Sequence, residues 1–151
     1  MSTHPLILMS TFAMLSNAVN ATELLNLADY GLNSLPPGAD ATPVIRRAME
    51  DCIARKAGGL KIPAGEWHLF PHFAFEQNLA VANNDPGIRR VVFPIDGFDG
   101  FTLEADGARF VCHGSMIPIS AEDTKNLTLK GFSIDWARPF SMQGTVEAAH
   151  P

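Results

Sequence analysis

The chain has 151 residues, 46% hydrophobic and 18% charged, with a formal net charge of −5 and a pI near 5.4. That length has room for one domain with a core of useful size. The acidic balance, with basic residues clustering no further than short pairs such as Arg46-Arg47 and Arg89-Arg90, argues against nucleic acid or an anionic membrane as partner and favours a neutral or cationic ligand.

Met1 to Ala21 carry no Asp, Glu, Lys or Arg. An apolar run from Leu6 to Leu15 is followed by small residues at Val19 and Ala21, which suits a signal peptide cleaved before Thr22 and hence a secreted or periplasmic protein. The n-region offers only His4 and the terminal amine, so a buried first helix is the alternative. The run is too short to span a membrane. Residues 22–151 are then the mature chain.

From Thr42 the residues predict an amphipathic helix of about four turns. The Thr42 hydroxyl is placed to cap it, Pro43 suits the first helical position, and Gly58-Gly59 is placed to end it. Ile45, Met49, Cys52 and Ile53, with Ala48 and Ala57, recur on one side. Leu60 to Leu69 then alternates as strand, turn and strand.

Between Val91 and Phe140 a pattern nearly repeats. Phe93-Pro94-Ile95 is answered by Ile117-Pro118-Ile119, Phe101-Thr102-Leu103 by Leu127-Thr128-Leu129, and Phe110 by Ile134, at offsets of 24, 26 and 24 residues. Short runs with every second residue apolar, parted by Gly, Asp or Asn turns, are half-buried strands. A repeat of this length built from strands predicts a parallel β-helix, each coil laying its strands on the coil before. The helix at Thr42 would then cap the first coil's exposed apolar end. With about two coils legible before His150-Pro151, just past the strand-like Gly144-Thr145-Val146, the chain is expected to be a fragment of such a stack, truncated at Pro151. Two β stretches in a small α+β domain are the alternative.

Asp135, Trp136 and Arg138 are the best local candidates for ligand contact, an aromatic face for the C–H face of a sugar flanked by groups that hydrogen-bond hydroxyls. The alternative has Trp136 packing outside the coil and Arg138 pairing with Asp135. His113 beside Gly114 could donate to a hydroxyl or move a proton, or be a satisfied turn histidine. Asn83, Asn84 and Asp85 form a polar loop that could reach over a groove or simply make a turn. Asp96, Asp99 and Asp106 each precede glycine and read as turn formers rather than a calcium cluster. His68 and His72 are four apart, but Leu69-Phe70-Pro71 between them argues against a helical metal pair. Asn126-Leu127-Thr128 has the form of a glycosylation site. No metal or cofactor is expected, and no glycine-rich phosphate loop, nucleophile elbow or metalloprotease motif appears. Cys52 and Cys112 match no zinc spacing and read as buried free thiols, with one disulfide open if the protein is exported.

The order Asp29-Tyr30-Gly31, a capped helix, then Gly58-Gly59 through Pro63 to Gly65 resembles the opening of pectin-lyase-like right-handed β-helix enzymes. With Phe70 to Phe75, Asn83 to Gly87, Phe93-Pro94-Ile95, His113 to Pro118 and Ser133 to Phe140, the stretch after Thr22 is similar to the N-terminal part of the α-1,3-galactosidases of glycoside hydrolase family 110. The resemblance implies an all-β, right-handed parallel β-helix with an N-terminal capping helix. It also implies a secreted exo-acting enzyme removing terminal α-1,3-linked galactose with inversion and without a metal, its partner a galactose-terminated glycan. Inversion needs two carboxyl groups about 6.5–9.5 Å apart. The family's catalytic aspartates fall on later coils, which places them downstream of Pro151. None is therefore expected within these 151 residues, and the chain alone should be inactive. Two other functions fit the same fold: a non-catalytic carbohydrate-binding segment with Trp136 as platform, and a pectin lyase or polygalacturonase, which the few basic residues after Gly100 count against.

Overall fold

In the computed structural model, which describes residues 23–81, 85–139, 144–145 and 147–148, apolar alternation becomes strand nearly everywhere the sequence predicts it. The expected export segment Met1 to Ala21, and Asn83, Asn84 and Phe140, lie outside the described residues. So does Pro151, and with it the expected break in the stack at that residue and the catalytic carboxyls placed downstream of it. The described chain runs β1 (Leu24–Asn26), α1 (Thr42–Arg55), β2 (Gly59–Lys61), β3 (Gly65–Leu69), β4 (Phe75–Leu79), β5 (Gly87–Asp96), β6 (Asp99–Cys112), β7 (Ile117–Glu122) and β8 (Lys125–Trp136). It is mostly strand with one α-helix, as the all-β class requires. No helix among the described residues is long and apolar enough to cross a membrane.

The helix forms where expected, but different groups cap it. Ala41 is the N-cap residue, and the Asp40 carboxylate accepts the Thr42 N–H at 2.8 Å. The Thr42 hydroxyl instead accepts the Phe70 N–H at 2.9 Å, tying the start of the helix to the end of β3. At the other end Lys56 takes the left-handed conformation at φ 51°, and its N–H returns to Cys52 and Ile53 carbonyls before Gly58-Gly59 is reached. Val44, Ile45, Ala48, Met49 and Cys52 are buried, whereas Ile53 is 45% exposed, so it stands off the apolar face assigned to it. Tyr30 holds the preceding Leu27–Tyr30 turn to this helix, its hydroxyl donating to Asp51 Oδ2 at 2.7 Å.

Strand β6 organises one sheet. On one edge it takes β2, with Leu60 opposite Leu103, and β3, with Trp67 opposite Phe110; on the other it takes β8. β1 continues the sheet beyond β2, and every pairing is parallel. In the second sheet β5 pairs antiparallel with β4 and parallel with β7. Phe93 of this sheet approaches Phe110 of the first, ring centroids 5.5 Å apart, so the inward rows of both sheets meet in one core. Columns such as Leu25, Leu60 and Leu103 run across the strands and are 7%, 0% and 0% exposed, but the next member, Leu129 on β8, is 42% exposed.

The repeat is real in space, with one change of register. Phe93 faces Ile119 rather than Ile117, and Val91 takes the place opposite Ile117. A slip of two residues keeps every side chain on its own face, so alternation alone satisfies both registers; the observed one stacks Val91, Phe93 and Ile95 on Ile117, Ile119 and Ala121. In the first sheet Glu104 faces Lys130 and Ala108 faces Phe132, so Ala105 to Gly107 bulge against Gly131, and the offset falls from 26 to 24 there. Pro63-Ala64, between β2 and β3, interrupts the sheet at the same level.

Burial pushes the thiols of Cys52 and Cys112 up to about 11, and both are free, as the reading of buried thiols expects.

Two outcomes follow. A Cβ on Gly59, at φ +144°, would collide with the Thr102 carbonyl oxygen, whereas Gly38, at φ +78°, has nothing within 4 Å. In urea unfolding Gly59→Ala should cost at least about 3 kcal/mol and Gly38→Ala about 1 kcal/mol; equal losses would contradict the close approach. Burial, then the bond to Asp51, pushes the Tyr30 phenol up to about 12. Tyr30 is the chain's single tyrosine, so tyrosinate absorbance should rise near pH 12 in the folded protein and earlier in Asp51→Asn. The folded value being raised, this contribution to stability is complete below about pH 10 and is lost as pH climbs through the folded value.

Candidate functional site

In-register parallel pairing stacks like positions of successive strands about 4.8 Å apart, so outward side chains of β3, β6 and β8 become neighbours. Two charged ladders result. In the first, Glu104 of β6 stands between Lys61 of β2, at 3.6 Å, and Lys130 of β8, at 2.9 Å. In the second, Arg109 of β6 reaches Glu66, directly opposite it on β3, and, diagonally, Asp135 of β8, two residues past its register partner Ser133, donating to Glu66 Oε2 and Asp135 Oδ2 at 2.9 Å each. The guanidinium supplies two separate N–H groups in a fixed fork, so it can hold carboxylates on both flanking strands at once.

The second ladder continues into a histidine pair. Glu66 Oε1 lies 3.2 Å from His68 Nε2, and His68 Nδ1 is 2.8 Å from His113 Nε2. The carboxylate favours the His68 proton on Nε2, which leaves Nδ1 to accept from His113 Nε2–H. The His113 ring stacks on Phe70 with centroids 4.1 Å apart and planes within 4°. A polar row thus runs Asp135, Arg109, Glu66, His68, His113 along one outer face. Asp135, Arg109 and Glu66 are about half exposed, and the histidines are half-buried.

The sequence candidates are divided by this geometry. Asp135 and His113 lie at opposite ends of the row. Trp136 follows Asp135 in the strand and therefore turns to the other face, opposite Cys112, where it packs against the core. Asp135 pairs with Arg109, while Arg138 sits in an exposed bend past β8, so the expected trio does not line one groove end together. His68, whose spacing suggests only His72 as a companion, pairs with His113 instead. Gly97, Gly100 and Gly107 take φ values of 69°, 86° and 84°; Asp96-Gly97 makes the turn between β5 and β6 as its chemistry predicts, whereas Asp99-Gly100 and Asp106-Gly107 lie inside β6, the latter at its bulge. Glu66, Arg109 and Phe70 have no local signal in the sequence.

The row can accept and donate hydrogen bonds to a polyhydroxylated ligand, but Asp135 is not set up to release a proton near neutrality. The Arg109 hydrogen bond, then that of the Trp136 backbone N–H at 2.8 Å, holds Asp135 below the usual carboxylate range. Lys130, more than Lys61, does the same for Glu104. A general acid needs the reverse, a carboxyl kept protonated.

Asp135 should therefore titrate, by carboxyl carbon NMR, below the ordinary value near 3.9 and move back up in Arg109→Met. Its folded value being lowered, its contribution to stability is complete above about pH 4 and is lost as pH falls through the folded value. An unmoved midpoint in the variant would contradict the pairing.

No family model matches the chain. It is 33% identical over 141 residues to the α-1,3-galactosidase A of Shewanella woodyi, covering 93% of this chain and 23% of that protein. To the α-1,3-galactosidases B of Bacteroides thetaiotaomicron and Parabacteroides distasonis it is 28% and 27% identical, over 92% and 85% of its length and 23% and 22% of theirs. The chain spans about a quarter of the length of these curated relatives. Over nearly all of its own length, this chain is a relative of the N-terminal part of the α-1,3-galactosidases, the kinship with glycoside hydrolase family 110 to which its motifs point.

Proposed function

We propose that this chain forms the cap and first coils of a right-handed parallel β-helix glycoside hydrolase that removes terminal α-1,3-linked galactose with inversion. The observation that carries this is the relationship to proteins named α-1,3-galactosidase over 93% of the chain. The geometry is consistent with it. Parallel strands recur in register at offsets of 24 to 26 residues, and α1 lies at the end of the stack where β1 and β2 begin. The galactose-terminated glycan would meet the outer face, where Asp135 accepts and His113 donates or accepts hydroxyl hydrogen bonds.

The acid and base of an inverting mechanism are assigned to later coils, downstream of Pro151, in the part of the relatives that this chain does not span. Both carboxyls whose titration is displaced, Glu104 and Asp135, are displaced downward by cations, which suits binding and charge balance rather than proton donation. Export through the signal peptide at 1–21 belongs to the same proposal, and it accords with an enzyme acting on glycans outside the cell.

A chimera tests the reading. The N-terminal quarter of the Shewanella woodyi relative is replaced by this chain and assayed on an aryl α-galactoside and on α-1,3-galactobiose. The folded chimera should release galactose with inverted configuration, and the 151-residue chain alone should release none. Release by the chain alone would overturn the placement of the acid and base downstream of Pro151; a folded but inactive chimera would overturn the shared role.

A further inference from the structure

The histidine pair fixes more than its own contact. His68 Nδ1 and His113 Nε2 are 2.8 Å apart, so one proton lies between them, and its owner depends on what the far side of His68 meets. There Glu66 Oε1 lies 3.2 Å from His68 Nε2. A carboxylate draws a proton to that nitrogen and repels a lone pair on it. His68 then carries its proton on Nε2, its Nδ1 accepts, and His113 spends its Nε2–H on the pair.

That leaves His113 Nδ1 as a bare acceptor. No group among the described residues reaches it, and it is not sealed from solvent, so it opens to the surface. Phe70 lies flat against the ring, planes within 4°, and holds it in that orientation. At the other end of the row Asp135 already accepts from Arg109 and from the Trp136 N–H, and as a carboxylate it has nothing to donate. Both ends of the row therefore ask a ligand for donors.

We propose that Glu66 is the positioning residue of this row. Acting through His68, it sets His113 to accept at Nδ1, so the row takes a sugar whose contacted position donates, a free hydroxyl rather than an ether or a carboxylate. For its ligand the inference rests on the galactoside reading above; for the tautomer it rests on the histidine pair and Glu66 alone.

Arg109 dictates how a substituted amide would sit. It donates to Glu66 Oε2 at 2.9 Å and has no acceptor to offer. In Glu66→Gln the amide oxygen must therefore face Arg109, and the NH2 must face His68 Nε2. That nitrogen then accepts, His68 donates from Nδ1 to His113 Nε2, and the His113 proton moves to Nδ1. The surface atom changes from acceptor to donor with no change in shape.

Nitrogen NMR of the 151-residue chain and of Glu66→Gln, at alkaline pH where imidazole is neutral, reads this directly. His113 should be protonated on Nε2 in the former and on Nδ1 in the latter; the same tautomer in both would overturn the positioning. Methyl α-galactoside and its mono-O-methyl ethers are then titrated into each protein. One ether should bind about tenfold more weakly than the parent to the unaltered chain, since it leaves Nδ1 without a donor. It should regain most of that loss in Glu66→Gln, where its oxygen still accepts. Equal penalties for every ether in both proteins would overturn the donor requirement. A tautomer that moves while neither protein binds the galactoside would overturn the galactoside reading and the ligand with it, and would uphold Glu66 in its positioning role.

Discussion

In-register parallel pairing along β6 is the constraint on which the rest of this structure depends. Because β6 is flanked on both edges over Thr102–Glu104 and Ala108–Cys112, its inward residues there become the middle of a column and its outward residues lie between those of the flanking strands. The same alignment that stacks Leu60 on Leu103 sets Lys61 beside Glu104, so the apolar core and the charged face are two results of one register. A slip by one residue would exchange them. The bulge at Ala105 to Gly107 fixes that register, since Gly131 has no room for a side chain against the backbone of Asp106.

The site takes its character from this alignment. Arg109 sits between two carboxylates that lie 43 residues before it and 26 after it in the chain, and it neutralises both. The outcome is a row of fixed, mutually satisfied groups, better suited to hold hydroxyls in place than to transfer protons to them. Its exposed ion pairs add little to stability individually. The columns behind them hold the sheet together, and the row is carried on that support.

Much of this was legible in the sequence. Alternation marked the strands, the Thr42-Pro43 start marked the helix, and the two-dozen-residue repeat marked the β5–β7 and β6–β8 pairings. The register of Phe93 was not, because a shift by two leaves faces unchanged and the Pro94 and Pro118 likeness favoured the wrong one. The helix cap was not, because Asp40 and Thr42 are both good capping residues and the choice between them came from Phe70, which claims the Thr42 hydroxyl. The site residues Glu66 and Arg109 lie far from their partners in sequence and have no local pattern. For Glu104 and Lys130 the signal existed, since they stand 26 apart, the repeat's own spacing there; Arg109 and Asp135 do not show it, because past the bulge the offset is 24 and Arg109 faces Ser133, so their contact is diagonal. His68 and His113 could not be found that way, since their contact is diagonal between strand ends.

The spacing of these pairings also governs the order in which the structure can assemble. Strands β2 and β3 meet β6 only after 43 residues of chain have closed into a loop, and β8 meets β6 only after 24 to 26 more. Loop closure must be paid in entropy before such contacts give anything back. The local pieces are α1 and the antiparallel β4–β5 pair, whose strands are joined by seven residues between Leu79 and Gly87. On a growing chain α1 and the β4–β5 pair can therefore form before the long loops that bring β2, β3 and β8 to β6 have closed, and the first sheet is the slower part to assemble.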